Sequence, residues 1–534
     1  MSMSCGAATM GLLAQYGIDT VFGIPGVHTL DFCSGLGEDS SIQHIQVRNE
    51  QGAGFMAEGY ARATGKPAVA LVISGPGVTN AATAIGQSWA DSLPVLLLSA
   101  EPASHTLGKG WGVLHEITEQ KAVTAPLTAL SATAHRPEDV PELLAQAFSI
   151  FSSARPRPVH ISIPTDVQAA TTDGDWTAVE LPVRPHPDHD QVTRAADLLA
   201  DAQHPLIMVG GGSHEASTEI QQLCEQLNAI VISSTSGKGI VPDDHPLSLG
   251  GATVRPEVHR MVPNADVVVA IGTEISETDS FVERLDIRGK LIRIDLDPRK
   301  INDLYPADVG IVADAAPTVA ALIKALKKHS PRARQKDSEA LVTNIRNQIK
   351  SQLTPSEQQH CKLLSALRDS IPRDTILAGD VCQLVYTGAF AMPVYNPRSW
   401  FYPAGYCTLG AALPNAIGAM QALPDRPIVA LVGDGGFMFT VQELITAAEL
   451  KLPLPIVLWD NGGLKQIQDD MDRGGIPRVG VDGINPDFSL LARSMHCHAE
   501  EPSSISDFQR AIQTALAADR PTLITVREDS EWLL

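Results

Sequence analysis

Two stretches, IVALVGDGG at residues 428–436 and PIVLWDN at residues 455–461, decide the fold of the C-terminal part of this chain. Each is an apolar run of strand length that ends in polar residues, Asp434 in the first and Asp460-Asn461 in the second. Roughly two dozen residues separate the motifs, which is room for a helix that returns between two parallel strands. We therefore expect a carboxylate, an amide and exposed backbone N–H groups to converge at one sheet edge, as a Mg²⁺-diphosphate requires.

Hard oxygen ligands for a cation are available at this edge. Asp434 offers a carboxylate oxygen, Asn461 an amide oxygen and Gly463 a backbone carbonyl, and Mg²⁺ commonly completes its octahedron with phosphate oxygens and water. Gly435 and Gly436 allow a diphosphate to approach the backbone, because glycine has no Cβ. An ordinary strand-end turn is the alternative interpretation, but the second motif at this spacing favours a metal and diphosphate site.

The composition is that of a folded, multi-domain protein. The chain has 534 residues, of which 44% are hydrophobic and 19% charged, and its formal net charge is -21. No basic stripe favours nucleic acid as a partner. No apolar run approaches the ~18 residues that cross a membrane, and residues 1–10 lack a signal-peptide pattern. Seven cysteines form no CxxC pair, which disfavours zinc and disulfide frameworks, so we expect a cytoplasmic protein.

Three segments of alternating strands and helices follow one another. We predict an α/β fold of three doubly wound parallel-sheet domains at residues 1–168, 190–328 and 337–534. Polar, proline-containing stretches at 169–190 and 330–336 are the predicted linkers. The predicted strands are residues 20–24, 68–74, 93–100 and 159–163, then 205–209, 229–233, 267–272 and 291–295, then 375–378, 428–432, 454–459 and 522–526.

The two C-terminal motifs together resemble the cofactor motif of thiamine-diphosphate enzymes. That pattern usually ends in two asparagines, whereas this chain has Asp460 in the first place. The resemblance implies that thiamine diphosphate and Mg²⁺ bind here. It implies cofactor contacts from Gly433, Asp434, Gly435, Gly436, Asn461 and Leu464, and metal ligation by Asp434, Asn461 and Gly463.

The first segment resembles the same family at FGIPG (residues 22–26), RNEQGA (48–53) and SGPGVTN (74–80). The resemblance makes Glu50 the cofactor-activating glutamate. A carboxylic acid at the pyrimidine N1′ favours the imino tautomer, whose nitrogen takes the proton from thiazolium C2, and apolar surroundings help a glutamate to keep its proton. A surface glutamate before a helix is the alternative. Further implied cofactor contacts on this side are Pro25, Gly26, Pro76 and Asn80.

Two more loops extend the resemblance to nearly the whole chain. It implies that Leu409 lies beneath the folded cofactor, that the Cys407 carbonyl accepts from the 4′-amino group, and that Asp380 and Gln383 line the diphosphate side. Core packing is the alternative for Leu409. The resemblance implies a pyrimidine-binding, a central and a diphosphate-binding domain, with the cofactor between two chains. A homodimer is then the minimum, and a homotetramer is common.

Residues 107–120, LGKGWGVLHEITEQ, bear on the reaction. Acetolactate synthases carry a Phe-Gln pair where this chain has Leu114-His115, and decarboxylase relatives carry histidines nearby. His115 and Gln120 are therefore candidate proton-transfer or positioning groups, because a histidine can deliver a proton after CO₂ leaves. A structural histidine is the alternative. The stretch is most similar to 5-guanidino-2-oxopentanoate decarboxylases.

Residues 464–471, LKQIQDDM, border the substrate pocket in the family. Gln466, Asp469 and Asp470 are the pocket candidates, because a carboxylate suits the bidentate geometry of a guanidinium. A solvated helix face is the alternative. We expect a carboxy-lyase that acts on a small 2-oxo acid, with 5-guanidino-2-oxopentanoate preferred and an acetolactate synthase-like carboligase as the rival.

The middle segment leaves other classes open. Residues 210–212 are glycines after a strand, but they form no GxGxxG motif with a following acid, so we expect a structural domain. A flavin- or nicotinamide-dependent oxidoreductase that uses this domain is one rival. A non-catalytic metabolite-binding or scaffold protein is another, although the joint presence of Glu50, Asp434 and Asn461 argues against it.

Overall fold

A computed structural model describes residues 3–37, 40–329 and 337–534. These residues contain three parallel sheets, which confirms the predicted α/β fold. A two-residue antiparallel pair, Met3–Ser4 with Thr171–Thr172, lies apart from them. The linker predicted at 330–336 lies outside the described residues. Within the described ranges, no helix combines the length and the apolar character that a bilayer crossing requires.

The first sheet has six strands and is covered on both faces. Val69 and Leu71 enter one core, whereas Ala70 and Val72 enter another, because successive side chains of a strand point to opposite faces. The spatial strand order is Gln43–Gln46, Thr20–Gly23, Ala68–Val72, Val95–Glu101, Val159–Pro164 and Leu130–Thr133. The helices are Cys5–Gln15, Leu30–Ser34, Glu50–Thr64, Pro76–Ala90, Gln120–Thr124, Asp139–Ser153 and Thr165–Ala169.

The C-terminal sheet also has six strands. Their spatial order is Trp400–Phe401, Ile376–Gly379, Ile428–Gly433, Pro455–Asp460, Thr522–Arg527 and His498–Glu500. The helices are Ser338–Ser351, Pro355–Ser370, Gln383–Ala391, Ala412–Ala422, Asp434–Phe437, Glu443–Glu449, Lys465–Arg473, Phe488–Ser494 and Ile505–Leu516.

The first and last sheets share one topology. With the strands of each sheet numbered along the chain, both follow the order 2-1-3-4-6-5. Strand 2 is added on one side of strand 1 and strand 3 on the other, so the order of the strands reverses between strands 1 and 3. Ligands of open α/β sheets bind at the carboxyl ends of the strands at this switch point. The switch lies after Gly23 and Val72 in the first sheet, and after Gly379 and Gly433 in the last.

The middle sheet has five strands in the order 2-1-3-4-5. The strands in spatial order are Ile230–Ser233, Pro205–Val209, Val267–Ile271, Lys290–Asp295 and Val309–Val312. The helices are His189–Asp201, Ser217–Leu227, Pro256–Met261, Glu277–Ser280 and Ala315–Leu326.

The two outer domains pack through the helices Glu50–Thr64 and Ala412–Ala422. A Cβ on Gly59 would lie 2.1 Å from a backbone carbonyl oxygen of the opposite helix, and one on Gly418 would lie 1.9 Å from another. The helices therefore touch at backbone distance, which only glycine permits. This contact holds the two outer domains of one chain together.

Candidate active site

Two oxygen atoms and one side-chain amide converge at the switch point of the C-terminal sheet. One terminal atom of the Asn461 amide lies 3.2 Å from Asp434 Oδ1 and 3.2 Å from the Gly463 carbonyl oxygen. With the amide oxygen in that position, a carboxylate, an amide and a backbone carbonyl face one point, which is the donor set that Mg²⁺ takes. The three residues predicted as metal ligands are therefore together, and they fit this ion.

The other Asp434 oxygen is fixed by the protein. The Gly463 N–H donates to Oδ2 at 2.8 Å, and Asn485 Nδ2 donates to it at 2.7 Å. Asn485 also donates to Asp460 Oδ1 at 2.8 Å, so it joins the buried aspartate to the residue that departs from the family motif. Burial raises the pKa of Asp434, and a bound cation would favour its charged form. Sequence reasoning missed Asn485, because no motif marks its loop.

Glycine is required along this edge by close neighbours. A Cβ on Gly433 would lie 2.8 Å from Cys382 Cβ, and one on Gly436 would lie 3.0 Å from Asp380 Oδ1. A Cβ on Gly435 would lie 3.2 Å from the side chain of Leu464. The edge is therefore lined by backbone, as the predicted diphosphate contact requires.

Asp380 acts on the neighbouring loop, residues 406–410. The Gly410 N–H donates to both of its carboxylate oxygens, each at 3.0 Å, and the Val381 N–H donates at 2.7 Å. Burial raises the pKa of Asp380 to about 6, and these hydrogen bonds oppose the shift. Backbone N–H groups already bond to the oxygens of this carboxylate. Asp380 would therefore affect the cofactor indirectly, by holding the loop in place.

The loop that Asp380 anchors presents Cys407 and Leu409 away from the core. Cys407 is exposed and has a φ of 51°, in the left-handed region. Leu409 is half-buried and belongs to none of the apolar clusters of the described residues. If Leu409 served only in core packing, which is the alternative interpretation, its side chain would be fully buried. The partial exposure of this side chain instead leaves one side of Leu409 free for a ligand.

Glu50 lies at the switch point of the first sheet. It begins the helix Glu50–Thr64 and is 7% exposed. Asn80 Nδ2 donates to Glu50 Oε2 at 2.9 Å. Its neighbour Asn49 caps the helix, since the Asn49 side chain accepts from the Gln51 N–H at 2.9 Å. The burial of Glu50 argues against an ordinary surface glutamate.

Other residues predicted on this side also lie at the strand ends. Pro25 and Pro76 are exposed there, and a Cβ on Gly26 would lie 2.5 Å from the side chain of Ile73. Pro76 begins the helix Pro76–Ala90, in which proline is favoured because the first N–H has no helical partner.

Gln120 is buried and positions the turn before Pro76. Its Oε1 accepts from the Gly75 N–H at 2.8 Å, and its Nε2 donates to Ser99 Oγ at 3.1 Å and to the Ala100 carbonyl at 2.8 Å. These bonds engage both ends of the amide, so Gln120 is a positioning residue in this structure. The turn at Gly75 also lies against the backbone of His115, since a Cβ on Gly75 would be 2.4 Å from the His115 carbonyl oxygen.

The predicted substrate residues on the helix Lys465–Arg473 differ in their exposure and in their partners. Gln383 Nε2 donates to Asp469 Oδ2 at 3.0 Å and to Gln466 Oε1 at 3.3 Å. Asp470 is exposed and pairs with Arg473 at 2.9 Å. Asp469 and Gln466 are therefore held by Gln383, whereas Asp470 is exposed and accepts a hydrogen bond from Gln466 Nε2 at 3.3 Å.

The structure collects the predicted residues into two groups. No hydrogen bond or ion pair between described side chains joins one group to the other. The first group is Glu50, Asn80, His115 and Gln120, and the second is Asp380, Gln383, Asp434, Asn461 and Gly463.

A cavity of about 740 Å³ lies apart from both groups. It opens between the domains, beside Gly211 and Gly272 at the switch point of the middle sheet. Charged residues that line the cavity form ion pairs with one another; Arg155, for example, pairs with Glu274 and Asp297. Neither group of predicted residues lines this space.

Comparison with known proteins finds a match in each of the three domains. Models of thiamine pyrophosphate (thiamine diphosphate) enzymes match as the N-terminal binding domain at residues 3–123, the central domain at 192–322 and the C-terminal binding domain at 380–526. A probable 2-ketoarginine decarboxylase of Pseudomonas aeruginosa is 46% identical over 98% of this chain and 94% of the relative. The large subunit of acetolactate synthase isozyme 1 of Escherichia coli is 30% identical, over 97% and 93%. A probable acetolactate synthase large subunit of Methanocaldococcus jannaschii is 32% identical, over 97% and 91%. Since the matches include both switch points with their polar groups, the chain belongs to the thiamine pyrophosphate enzyme family.

Proposed function

We propose that this protein is a thiamine-diphosphate- and Mg²⁺-dependent decarboxylase of a 2-oxo acid, with 5-guanidino-2-oxopentanoate as the preferred substrate. The observation that carries the proposal is the convergence of the Asp434 carboxylate, the Asn461 amide and the Gly463 carbonyl beside a glycine-lined sheet edge. The name of the relative that is 46% identical over nearly the whole chain supports the choice of substrate.

The chain's own residues divide the work of holding the cofactor and the ion. Asp434, Asn461 and Gly463 would hold Mg²⁺, and the glycines at 433, 435 and 436 make room for the diphosphate. When bound, thiamine diphosphate supplies a nucleophilic carbon and a sink for the electron pair that CO₂ leaves behind.

Glu50 holds a proton at the pyrimidine N1′ in this proposal. Asn80 bonds Oε2 and fixes the plane of the carboxyl group, and we assign the other oxygen to N1′. The burial of Glu50 suits this contact, because it limits the access of water to the carboxyl group. Gln120 keeps the Gly75 turn in place, and His115 provides the proton that replaces CO₂ on the substrate carbon.

The substrate's guanidinium is assigned to Asp469. Gln383 holds one oxygen of its carboxylate, and Lys465 pairs with the other at 3.1 Å. A guanidinium binds a carboxylate through two parallel hydrogen bonds, whereas the ammonium of lysine is a point charge. The substrate would therefore replace Lys465 as the ion-pair partner of Asp469.

We further propose a homodimer as the smallest active unit, assembled as a dimer of dimers. Apolar side chains are exposed along both switch-point edges, which is typical of surfaces that another chain covers. On the first domain these are Val27, Leu30 and Leu114, and on the last they are Phe439, Ile467 and Ile484.

We also propose domain limits of 1–168, 190–328 and 337–534 and a location in the cytoplasm. All seven cysteines are free thiols, which supports a reducing compartment.

A second candidate is a carboligase, because relatives 30% and 32% identical to the chain are acetolactate synthases. A panel of 2-oxo acids separates the two functions. The protein is incubated with 5-guanidino-2-oxopentanoate, a neutral analogue of equal length and pyruvate, and both CO₂ and ligation products are measured. We expect the guanidino acid to exceed the neutral analogue by about 10- to 100-fold in kcat/KM, the value of one charged hydrogen-bonded pair. Abundant acetolactate from pyruvate would instead establish the carboligase.

A further inference from the structure

A histidine lies in the interior of the first sheet. His160 belongs to the strand Val159–Pro164, which pairs with a strand on each side, and its side chain is fully buried. Burying a polar side chain costs free energy unless hydrogen bonds replace those it made to water. Both ring nitrogens have such partners, since Nε2 lies 2.8 Å from Ser99 Oγ and Nδ1 lies 2.6 Å from Thr124 Oγ1. The ring therefore joins two separate parts of the domain.

His160 and Ser99 together hold both ends of the short helix Gln120–Thr124. Thr124 ends this helix and bonds to the imidazole directly. Gln120 begins it and donates from Nε2 to Ser99 Oγ at 3.1 Å, and Ser99 in turn bonds to the imidazole. We call these four buried side chains the buried network. Because the network closes on both ends of the helix, it fixes the helix to the sheet.

One arrangement of protons satisfies the bonds around Ser99. Gln120 donates with both of its N–H bonds, to Ser99 Oγ and to the Ala100 carbonyl at 2.8 Å, so the Ser99 hydroxyl needs an acceptor. Among the described residues, its other partner is His160 Nε2, which accepts when the ring proton is on Nδ1. Nδ1 then donates to Thr124. Burial lowers the pKa of His160 to about 3, which keeps the ring in this neutral form.

The series of bonds continues from Gln120 to the turn before the helix Pro76–Ala90. Gln120 Oε1 accepts from the Gly75 N–H at 2.8 Å. Gly75 has a φ of 59°, and its carbonyl oxygen accepts from the Thr79 N–H at 3.0 Å, which closes the first turn of the helix. The Gln120 amide therefore holds the point at which this helix begins.

The beginning of that helix carries the residue that orients Glu50. Asn80 follows Thr79, and its Nδ2 donates to Glu50 Oε2 at 2.9 Å. No other side chain in the described part of the chain bonds to this carboxyl group, so its orientation depends on Asn80. Hydrogen bonds and one helical turn thus connect the ring of His160 to the carboxyl group of Glu50 without a break.

We propose that His160 positions Glu50 through Gln120 and the turn that Gln120 holds. The inference rests on the proposed function, in which Glu50 holds a proton at the cofactor. His160 itself touches neither cofactor nor substrate; it accepts from the Ser99 hydroxyl and so keeps the Gln120 amide directed at Gly75. Proton transfer requires the acid to lie within hydrogen-bond reach, so a small displacement of the Glu50 carboxyl group lowers the rate.

Two substitutions replace different halves of the imidazole. The amide of His160→Gln reaches the place of Nε2 and still accepts from Ser99, whereas that of His160→Asn reaches the place of Nδ1 and leaves the Ser99 hydroxyl without an acceptor. We expect His160→Asn to lower kcat about 10-fold, the effect of one buried hydrogen bond, and His160→Gln to stay within about 3-fold of wild type. Ser99→Ala breaks the network at the next link and should show the same loss as His160→Asn. KM should change little in all three variants, because none of these residues contacts substrate.

A double-mutant cycle tests whether His160 acts through Gln120. Gln120→Met keeps the length of the side chain but removes its hydrogen bonds. If the effect passes through Gln120, adding His160→Asn to Gln120→Met should lower kcat no further. Ser162→Ala is the matched control, because Ser162 is equally buried in the same strand but bonds to Glu101, outside the network, and it should keep the wild-type kcat.

Deuterium exchange in the cofactor-free protein gives a readout that does not depend on catalysis. The Gly75 amide, followed by mass spectrometry of the peptide that contains it, should exchange about 10-fold faster in His160→Asn than in wild type, because Gln120 holds it less tightly. His160→Gln should exchange at the wild-type rate. This agreement between exchange and kcat is not expected of a residue that only stabilises the domain.

The remaining outcomes decide against the positioning role. A wild-type kcat in both His160→Asn and Ser99→Ala would remove it, and so would additive losses in the double variant. Equal losses in His160→Asn and His160→Gln, with unchanged exchange at Gly75, would show that the ring serves stability alone. Absence of CO₂ from wild type with every 2-oxo acid would reject the proposed function and the role toward Glu50, whereas the exchange rate at Gly75 would still decide whether His160 holds the turn.

Discussion

Among single residues, Glu50 is the one on which the proposed chemistry most depends. It is buried, begins a helix and is oriented by Asn80. We expect Glu50→Gln to lower kcat by about 10²- to 10⁴-fold, the range of general acid–base catalysis, because an amide cannot exchange the proton at N1′. Thiamine diphosphate affinity, measured by calorimetry, should change little. Glu119→Gln, an exposed neighbour in the 107–119 loop, is the control, and wild-type turnover in Glu50→Gln would contradict the assignment.

His160 makes the stability of the first domain depend on pH. Its ring lies between Ser99 Oγ at 2.8 Å and Thr124 Oγ1 at 2.6 Å, and burial lowers its pKa to about 3. The unfolded chain therefore binds this proton below about pH 6.5 while the folded one does not, so stability is complete above that pH and is lost as the pH falls toward 3.

The expected loss is about 2 kcal/mol at pH 5, since one pH unit corresponds to about 1.4 kcal/mol. Melting temperatures of wild type and His160→Gln at pH 7.5 and pH 5 test this. The difference in melting temperature between wild type and His160→Gln should be smaller at pH 5 than at pH 7.5, because glutamine binds no proton. A gap that stays constant would show that His160 does not titrate in this way.

Whether a strand could be predicted from the sequence depended on its position in the sheet. Every central strand was predicted, because a parallel strand buried on both faces is a continuous apolar run. Five edge strands of the three parallel sheets were missed among the described residues, because an edge strand is short or partly exposed and so lacks that run. They are Gln43–Gln46, Leu130–Thr133, Val309–Val312, Trp400–Phe401 and His498–Glu500. The edge strand that was predicted, Ile230–Ser233, is fully buried.

The contact between the helices Glu50–Thr64 and Ala412–Ala422 predicts a strong effect from one methyl group. A Cβ on Gly418 would lie 1.9 Å from a backbone oxygen, so Gly418→Ala must push the helices apart. We expect a loss of about 1–3 kcal/mol or more, the usual effect of overpacking, visible as a lower melting temperature. Gly11→Ala is the matched control, since no atom lies within 4 Å of its added Cβ, and it should stabilise its helix slightly. Equal melting temperatures for the two variants would refute the close contact.

The molecule as a whole carries two half-sites on sheets of the same topology. Glu50 belongs to one and Asp434 to the other, and no hydrogen bond or ion pair between described side chains joins these two residues. Exposed apolar residues border both, as expected if a second chain brings the half-sites together.

Mixing two inactive variants tests this arrangement. Glu50→Gln and Asp434→Ala are each expected to be inactive, the second because the cofactor's metal is not retained. In a mixed dimer one composite site regains both residues, so random exchange of subunits should restore about a quarter of the wild-type activity. The mixture is refolded or co-expressed, and its specific activity is compared with that of each variant alone. No gain on mixing would place both residues in a site within one chain.

The sequence by itself determined the α/β class, the central strands and the glycine-lined edges, because these depend on apolar runs and on spacing within one segment. Its resemblance to a known family predicted Glu50, Asp434 and Asn461 as site residues. Only the tertiary structure decided which loops meet. Asn485 reaches Asp434 and Asp460, and His28 reaches Ser74. The physical reason is that these contacts join residues far apart along the chain. They form only once the strand order 2-1-3-4-6-5 has placed their loops at one switch point.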